Sequence, residues 1–162
     1  ILAANMIGEI IVRGDTVTKT YDQMPEATKL SKIIDGDSFW HRMGDIGYLD
    51  IDQQLWFCGR KAHRVDSSEG LMTPIQVEAI FNQHPAVAKS ALIRNSQNVP
   101  AIVVELKTGI KQTQQIKHEL LKIAQSSPLT SSISLIFFSN SFPVDVRHNI
   151  KIDRNKLSLQ YF

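Results

Sequence analysis

Glycine and charge are unevenly distributed along this chain, and the asymmetry restricts what the chain can fold into. Seven of the eight glycines lie at or before Gly70, in a stretch rich in short β-branched runs. Up to Ala62 the chain carries seven Lys or Arg against nine Asp or Glu, whereas from His63 onward it carries eleven against seven. Such a change within 162 residues indicates two different pieces of structure that meet near residues 60–70.

The overall composition excludes several classes of protein. Hydrophobic residues at 43% and charged residues at 21% are typical of a folded soluble domain rather than a disordered chain. The longest apolar candidate, residues 133–138, has the length of a strand, so we expect no transmembrane segment. A net charge of +2 is too small to predict a nucleic-acid partner. The single cysteine, Cys58, excludes an internal disulfide and favours a reducing compartment such as the cytoplasm.

The first piece has the pattern of a hairpin-rich β meander. Glycines bound a β-branched run, and Pro25 followed by Glu26 is typical of the first turn of a helix. A polar turn between two later apolar runs predicts a hairpin. The predicted elements are a strand over 8–14, a helix over 25–32, and strands over 39–42, 47–49 and 55–60.

The second piece alternates between strand and helix patterns, in the order βαββαβα, which predicts a compact α/β (α+β) unit. Its most regular helix places Ile116, Leu120, Ile123 and Ala124 at helical spacing. The preceding helix is expected to bury Ile75, Ala79 and Ile80. The predicted elements are a strand over 63–66, a helix over 74–84, strands over 87–94 and 100–107, a helix over 112–125, a strand over 134–138 and a helix from Asp153.

Common catalytic patterns are missing from the sequence. One cysteine and five scattered histidines do not form a zinc-ligand set, so we predict no metal site within the chain. The chain contains neither the Gly-x-Ser-x-Gly nucleophile motif nor the Gly-x-x-x-x-Gly-Lys-Ser/Thr phosphate loop. A Ser-His-Asp triad remains open, although nothing in the sequence marks one.

Three charged residues remain as candidates for chemistry. Asp45 lies between glycines that let the backbone turn and present a carboxylate to a vicinal diol such as a ribose. Arg60 ends a predicted strand and offers a fork of donors to phosphate or ribose oxygens. Lys151 brings a positive charge to a polar segment, where it can stabilise a developing negative charge. Each is more often a turn former or a solvated surface residue when taken singly.

The order and spacing of the motifs resemble the adenylate-forming enzymes, the superfamily of acyl- and aryl-CoA synthetases, peptide-synthetase adenylation domains and firefly luciferase. Similarity covers nearly the whole chain in the family's order. The motifs are Gly-Glu-Ile-x-Val-Arg-Gly at 8–14, Tyr-x-x-x-Pro-Glu-Ala-Thr at 21–28, Gly-Asp-x-Gly-Tyr-x-Asp at 44–50, Gly-Arg at 59–60, Val-Glu-Ala-Ile at 77–80, His-Pro-x-Val at 84–87 and Lys-Ile-x-Arg at 151–154.

The resemblance implies roles and a domain organisation. Asp45 would bind the ribose hydroxyls of ATP, Arg60 would contact ribose or phosphate, and Lys151 would bridge the substrate carboxylate and the α-phosphate. Residues 1–60 would form the C-terminal part of a large domain, 61–62 a hinge centred on Ala62, and 63–162 a small lid domain. The chain would thus be a C-terminal fragment, inactive alone. ATP and Mg²⁺ are the implied cofactors, with the Mg²⁺ ligand outside this fragment.

Four departures from the family pattern bear on these roles. Met43 stands where Ser or Thr is usual, and Ala62 stands where the hinge usually has Asp or Lys. The loop at 66–70 carries two acidic residues where the family's pantetheine-lining loop is basic, so the use of CoA stays open. Ile150 replaces the glycine expected before Lys151.

Two segments, 59–65 and 143–149, resemble a narrower group, the β-lactone synthetases of long-chain olefin biosynthesis. That resemblance implies a fatty, β-hydroxy acid substrate whose own hydroxyl displaces AMP. A fatty-acyl-CoA synthetase and a fatty-acyl-AMP ligase remain alternatives, and a non-catalytic partner-binding module is the alternative of another class. The expected location is the cytoplasm, with membrane association only through partners, and a complex with other olefin-pathway enzymes is left open.

Overall fold

The computed structural model describes residues 2–145 and 151–162. The chain divides into two compact units, Ile1–Ala62 and His63–Phe162. The charge and glycine distributions change over the same region of the sequence. None of the described helices is long and apolar enough to cross a membrane.

The first unit is built around one long strand. The elements in chain order are β1 (Gly8–Val12), α1 (Pro25–Leu30), β2 (Lys32–Asp35), β3 (Ser38–Leu49) and β4 (Leu55–Arg60). All strand pairs are antiparallel, with β1 along one edge of β3 and with β2 and β4 sharing the other edge. The central position of β3 makes it the strand on which the other three are aligned.

The sequence predicted two strands where the structure has the single strand β3. The residues between the predicted strands 39–42 and 47–49 do not end the strand, since pairing with β1 and β4 resumes at Asp45 and Ile46 after an irregularity at Gly44, where φ is +70°. The strand β2 was missed, since its residues were assigned in part to the preceding helix. Tertiary pairing here overrides the local turn preference of glycine.

The second unit is an α/β fold, and the predicted fold class is confirmed. A 3₁₀ turn, Lys61–His63, leads into it. Its elements are β5 (Val65–Ser67), β6 (Gly70–Met72), α2 (Pro74–Phe81), β7 (Val87–Arg94), β8 (Pro100–Leu106), α3 (Gln114–Gln125), β9 (Leu135–Ser139) and α4 (Arg154–Tyr161). The predicted strand over 63–66 is instead the end of the 3₁₀ turn followed by β5, which forms a short hairpin with β6.

A three-stranded sheet separates two apolar clusters in this unit. Strand β7 pairs antiparallel with β8, and β8 pairs parallel with β9. Alternate residues of the strands face opposite sides, as the period of a strand requires. Leu92 and Ile102 pack with α2 and α3 on one side, whereas Ala91 and Val103 pack with Leu157 of α4 on the other.

The predicted buried face of α2 is wrong. Its fully buried residues are Pro74, Val77 and Phe81, and Ile75 is 43% exposed. Spacings of three and four residues also define this face, but it is rotated from the predicted one. Phe81 has no exposed surface, and burial of its aromatic ring decides which side of the helix faces the sheet.

Candidate functional site

The two candidate residues of the first unit lie opposite each other across β3 and β4. Asp45 of β3 is the register partner of Arg60, the last residue of β4. The Asp45 Oδ1 atom is 3.1 Å from Arg60 Nη1. The same Nη1 donates a hydrogen bond of 3.3 Å to the carbonyl of Met43. The sequence separates these two side chains by 15 residues, and the hairpin brings them together.

Glycines and a bulge set this geometry. Gly44 has φ +70° and Gly59 has φ +117°, left-handed values that favour glycine on either side of the pair. Because Ile46 pairs with Gly59 and Gly47 pairs with Phe57, Cys58 is the extra residue of a bulge. Bulges re-aim neighbouring side chains, and this one makes Arg60 rather than Gly59 the register partner of Asp45.

Gly47 permits the close approach of the two strands. A Cβ atom at this position would lie 2.5 Å from the carbonyl oxygen of Trp56, well inside normal contact distance. The strands that carry the Asp45 carboxylate and the Arg60 guanidinium therefore approach each other at Gly47 more closely than a side chain at that position would allow.

The Asp45 carboxylate keeps unused acceptor capacity. Its side chain is 19% exposed, while that of Arg60 is 48% exposed. The Oδ1 atom lies within ion-pair distance of Arg60 but accepts no hydrogen bond from any residue that the structure describes. Buried polar atoms normally find a partner, so such an atom in a native fold needs an explanation. A hydroxyl pair from a ligand would supply the missing donors, and Arg60 would supply donors to the ligand's oxygens.

Ala62 lies in the 3₁₀ turn at the end of the first unit. The residue before it is tied to that unit, because Lys61 Nζ is 2.7 Å from Glu9 Oε2 on β1. The same oxygen lies 2.6 Å from Arg42 Nη1. The sequence analysis did not single out Glu9. The one feature that could have drawn attention to it is the presence of a charged residue within a β-branched run.

Lys151 belongs to the second unit and is exposed to solvent. Its carbonyl accepts a hydrogen bond of 2.9 Å from the Asp145 amide. Asp153 then caps α4, with its side chain accepting from the Lys156 amide at 3.0 Å. The departure at Ile150 and the rest of the segment 146–150 lie outside the described residues.

The loop at 66–70 forms the turn of the β5–β6 hairpin. Asp66 pairs with Arg64 at 3.1 Å, so one of its two acidic charges is matched locally. No cluster of three His, Cys, Asp or Glu side chains suited to a metal occurs in residues 2–145 and 151–162.

A search of curated proteins finds relatives that match nearly the whole chain. Olefin β-lactone synthetase of Xanthomonas campestris is 41% identical over 98% of this chain, and that of Stenotrophomonas maltophilia is 38% identical over 98%. The match covers 30% of the length of each relative. No protein-family model matches the chain.

Solved structures give the same fold. The O-succinylbenzoate-CoA synthetase of Bacillus subtilis in complex with AMP matches with a TM-score of 0.78 and 26% identity over 96% of this chain and 31% of its own. An anthranilate-CoA ligase with anthranoyl-AMP reaches a TM-score of 0.84 at 22% identity, over 98% of this chain and 31% of its own.

The chain belongs to the adenylate-forming superfamily and corresponds to a C-terminal part of its members, which confirms the resemblance drawn from the motifs. Within the superfamily its similarity extends to the olefin β-lactone synthetases.

Proposed function

We propose that the chain is the C-terminal part of an ATP-dependent enzyme that converts a carboxylic acid into an acyl-adenylate with release of pyrophosphate. The observation that carries the proposal is the Asp45–Arg60 pair, with a half-buried carboxylate whose Oδ1 accepts no hydrogen bond among the described residues. In this proposal residues 1–60 end the large domain, 61–62 form the hinge, and 63–162 form the lid.

The proposed mechanism assigns one task to each candidate residue. Asp45 accepts hydrogen bonds from the two ribose hydroxyls and fixes the orientation of the nucleotide. Arg60 donates to ribose or phosphate oxygens from the same side of the hairpin. Lys151 neutralises the negative charge that builds up when the substrate carboxylate attacks the α-phosphorus, which lowers the barrier to that step. Mg²⁺ would assist the departure of pyrophosphate, and we assign its ligands to the part of the enzyme outside this chain.

The proposed substrate is a fatty β-hydroxy acid, and the proposed second step is closure to a β-lactone. The two relatives at 41% and 38% identity are named olefin β-lactone synthetases, which supports this choice. An intramolecular hydroxyl needs no pantetheine route, and Glu69 leaves an acidic residue in the loop where that route is basic in CoA ligases.

A fatty-acyl-CoA synthetase is the second candidate, since 4-coumarate-CoA and 2-succinylbenzoate-CoA ligases also match the chain, at 27% and 39% identity. The full-length enzyme would be supplied with a β-hydroxy acid and ATP, with and without CoA. Lactone formed without CoA supports the first candidate. A thioester formed only with CoA supports the second and contradicts lactone formation.

The role of Lys151 is tested in the full-length enzyme by acid-dependent pyrophosphate exchange. Lys151→Ala should lower the exchange rate by about 100-fold or more, the usual effect of losing one group that stabilises transition-state charge. Since the side chain is exposed, the variant should keep its thermal midpoint. Lys156→Ala, on the exposed surface of α4, is the matched control and should retain activity. Exchange close to that of the wild type in Lys151→Ala would refute the assignment.

A further inference from the structure

A buried ion pair lies three residues beyond Lys151 in the sequence. Arg154, the first residue of α4, places Nη2 2.6 Å from Oε1 of Glu78 on α2. The two side chains are only 15% and 13% exposed. A pair so close to the proposed reacting lysine, and so well removed from solvent, has a fixed geometry that an exposed pair lacks.

Glu78 is held in turn by the central sheet. Its Oε1 atom accepts a hydrogen bond of 2.8 Å from the Leu92 amide of β7. One carboxylate oxygen thus joins the beginning of α4 to α2 and to the core strand β7. Rotation of α4 at its first residue would break the ion pair, so the position of Arg154 is fixed relative to the core.

The backbone between Arg154 and Lys151 transmits that position. Ile152 forms an antiparallel bridge with Val144. The Asp153 amide donates to the carbonyl of Pro143 at 2.9 Å, and the Lys151 carbonyl accepts from the Asp145 amide at the same distance. These bonds leave little independent freedom between the ion pair and the Lys151 Cα atom.

The energetics of the pair favour a role in positioning over one in stability. Burial holds the pKa of Glu78 above its ordinary value, although Arg154 acts to lower it. The Nε donor of Arg154 is also buried with no acceptor among the described residues. Buried pairs of this kind are often no more stabilising than apolar residues of similar size, and specificity of arrangement is one reason to retain them.

We propose that Arg154, fixed by Glu78, is the positioning residue for Lys151. This inference rests on the proposed function, in which Lys151 reaches the developing charge during adenylation. Arg154 touches no substrate in this scheme and acts only through the backbone that carries Lys151. Small misplacements of a reacting group can lower a rate by about 100-fold, so loss of the pair should be visible in catalysis.

The test is a double-mutant cycle in the full-length enzyme, read by pyrophosphate exchange. Arg154→Met should lower kcat by about 10- to 100-fold while the KM values for ATP and acid change little. Arg154→Lys, which keeps a cation opposite Glu78, should restore part of the rate. In a Lys151→Ala background, Arg154→Met should cause almost no further loss, because the group it positions is already absent. Lys156→Met on the same helix is the matched control.

Two results would overturn the inference. One is an unchanged kcat in a folded Arg154→Met variant. The other is a full multiplicative loss in the double variant, which would show that the two residues act independently. Should Arg154→Met fail to fold, Glu78→Gln takes its place, since the amide oxygen can still accept from Leu92. That variant should show the same loss of kcat and the same non-additivity with Lys151→Ala.

Hydrogen exchange of the Asp153 amide separates this inference from the proposed function. Its bond to Pro143 should open more readily in Arg154→Met than in the wild type, whether or not the enzyme is active. If the wild-type enzyme shows no acid-dependent exchange of pyrophosphate, the proposed function fails. Independently of that result, unchanged hydrogen-exchange protection of the Asp153 amide in Arg154→Met would refute the positioning role.

Discussion

Glu9 offers the sharpest test of how the first unit holds its last residues. Its Oε2 atom is shared by Arg42 Nη1 at 2.6 Å and Lys61 Nζ at 2.7 Å, and its side chain is 17% exposed. Glu9→Gln removes the charge that both cations share. The amide oxygen can accept from one of them, while the other loses its partner and the two positive charges remain close together.

The size of the effect follows from the degree of exposure. A hydrogen bond to a charged group contributes about 1.5–3 kcal/mol, whereas an exposed ion pair contributes about 0.2–1 kcal/mol. The cations are 38% and 40% exposed, so each contact falls between these limits, at about 1 kcal/mol. Glu9→Gln should therefore lower the free energy of unfolding of the first unit by about 1–2 kcal/mol, since one contact is lost and the other keeps a hydrogen bond without the charge.

Tryptophan fluorescence during urea unfolding of the 162-residue chain is the appropriate assay. Both tryptophans, Trp40 and Trp56, lie in the first unit, so their signal reports its unfolding. Asp35→Asn is the matched control, since it neutralises an exposed pair with Arg13 in the same sheet, leaves an amide oxygen that can accept from Trp40 Nε1, and should cost under about 1 kcal/mol. A loss in Glu9→Gln no greater than in this control would refute the reasoning.

Two further predictions concern the packing of the hairpin and the pH dependence of the second unit. Gly47→Ala should lower the free energy of unfolding of the first unit by about 2–3 kcal/mol, because the new Cβ would overlap the Trp56 carbonyl. Tryptophan fluorescence during urea unfolding measures this loss, and an unchanged urea midpoint would contradict the prediction. Burial raises the folded-state pKa of Glu78 above its ordinary 4.5. The protonated carboxyl is therefore favoured in the folded state, and its contribution to the free energy of unfolding is complete below about pH 4.5 and is lost as pH rises through the folded pKa. The free energy of unfolding of the wild type relative to Glu78→Gln, followed by far-UV circular dichroism, should therefore fall as pH rises, and a difference independent of pH would contradict this.

The sequence predicted those parts of the fold that depend on local patterns. The helix predicted over 112–125 from the helical spacing of its apolar residues is present over Gln114–Gln125. The last helix, predicted from Asp153, begins at Arg154 with Asp153 as its N-cap. The continuity of β3 was not predictable in this way. Glycines such as Gly44 and Gly47 are typical of turns, and only pairing with β1 and β4 keeps the chain in one strand across the irregularity at Gly44.

The candidate site shows the same limit. Asp45 and Arg60 are candidates because of their glycine neighbours, but their pairing could not be predicted from the turn, since the hairpin register alone would place Gly59 opposite Asp45 and the bulge at Cys58 shifts it to Arg60. Glu9 and Glu78 were not predicted as members of ion pairs, since the partner cations lie far away in the sequence. Arg154 lies 76 residues from Glu78 in the sequence, and no local pattern predicts a contact over that separation.

The residue before Ala62, Lys61, is bound to the first unit through its side chain. Alanine has no side-chain hydrogen bond that could fix its backbone, so a hinge at Ala62 would depend on neighbouring residues to define where rotation begins. Lys61 is such a residue, because Glu9 holds the Lys61 ammonium group against the first unit. In the proposed enzyme, rotation would then begin after Lys61 rather than within β4. Asp45 and Arg60 would stay in place on their hairpin while Lys151 moved with the second unit.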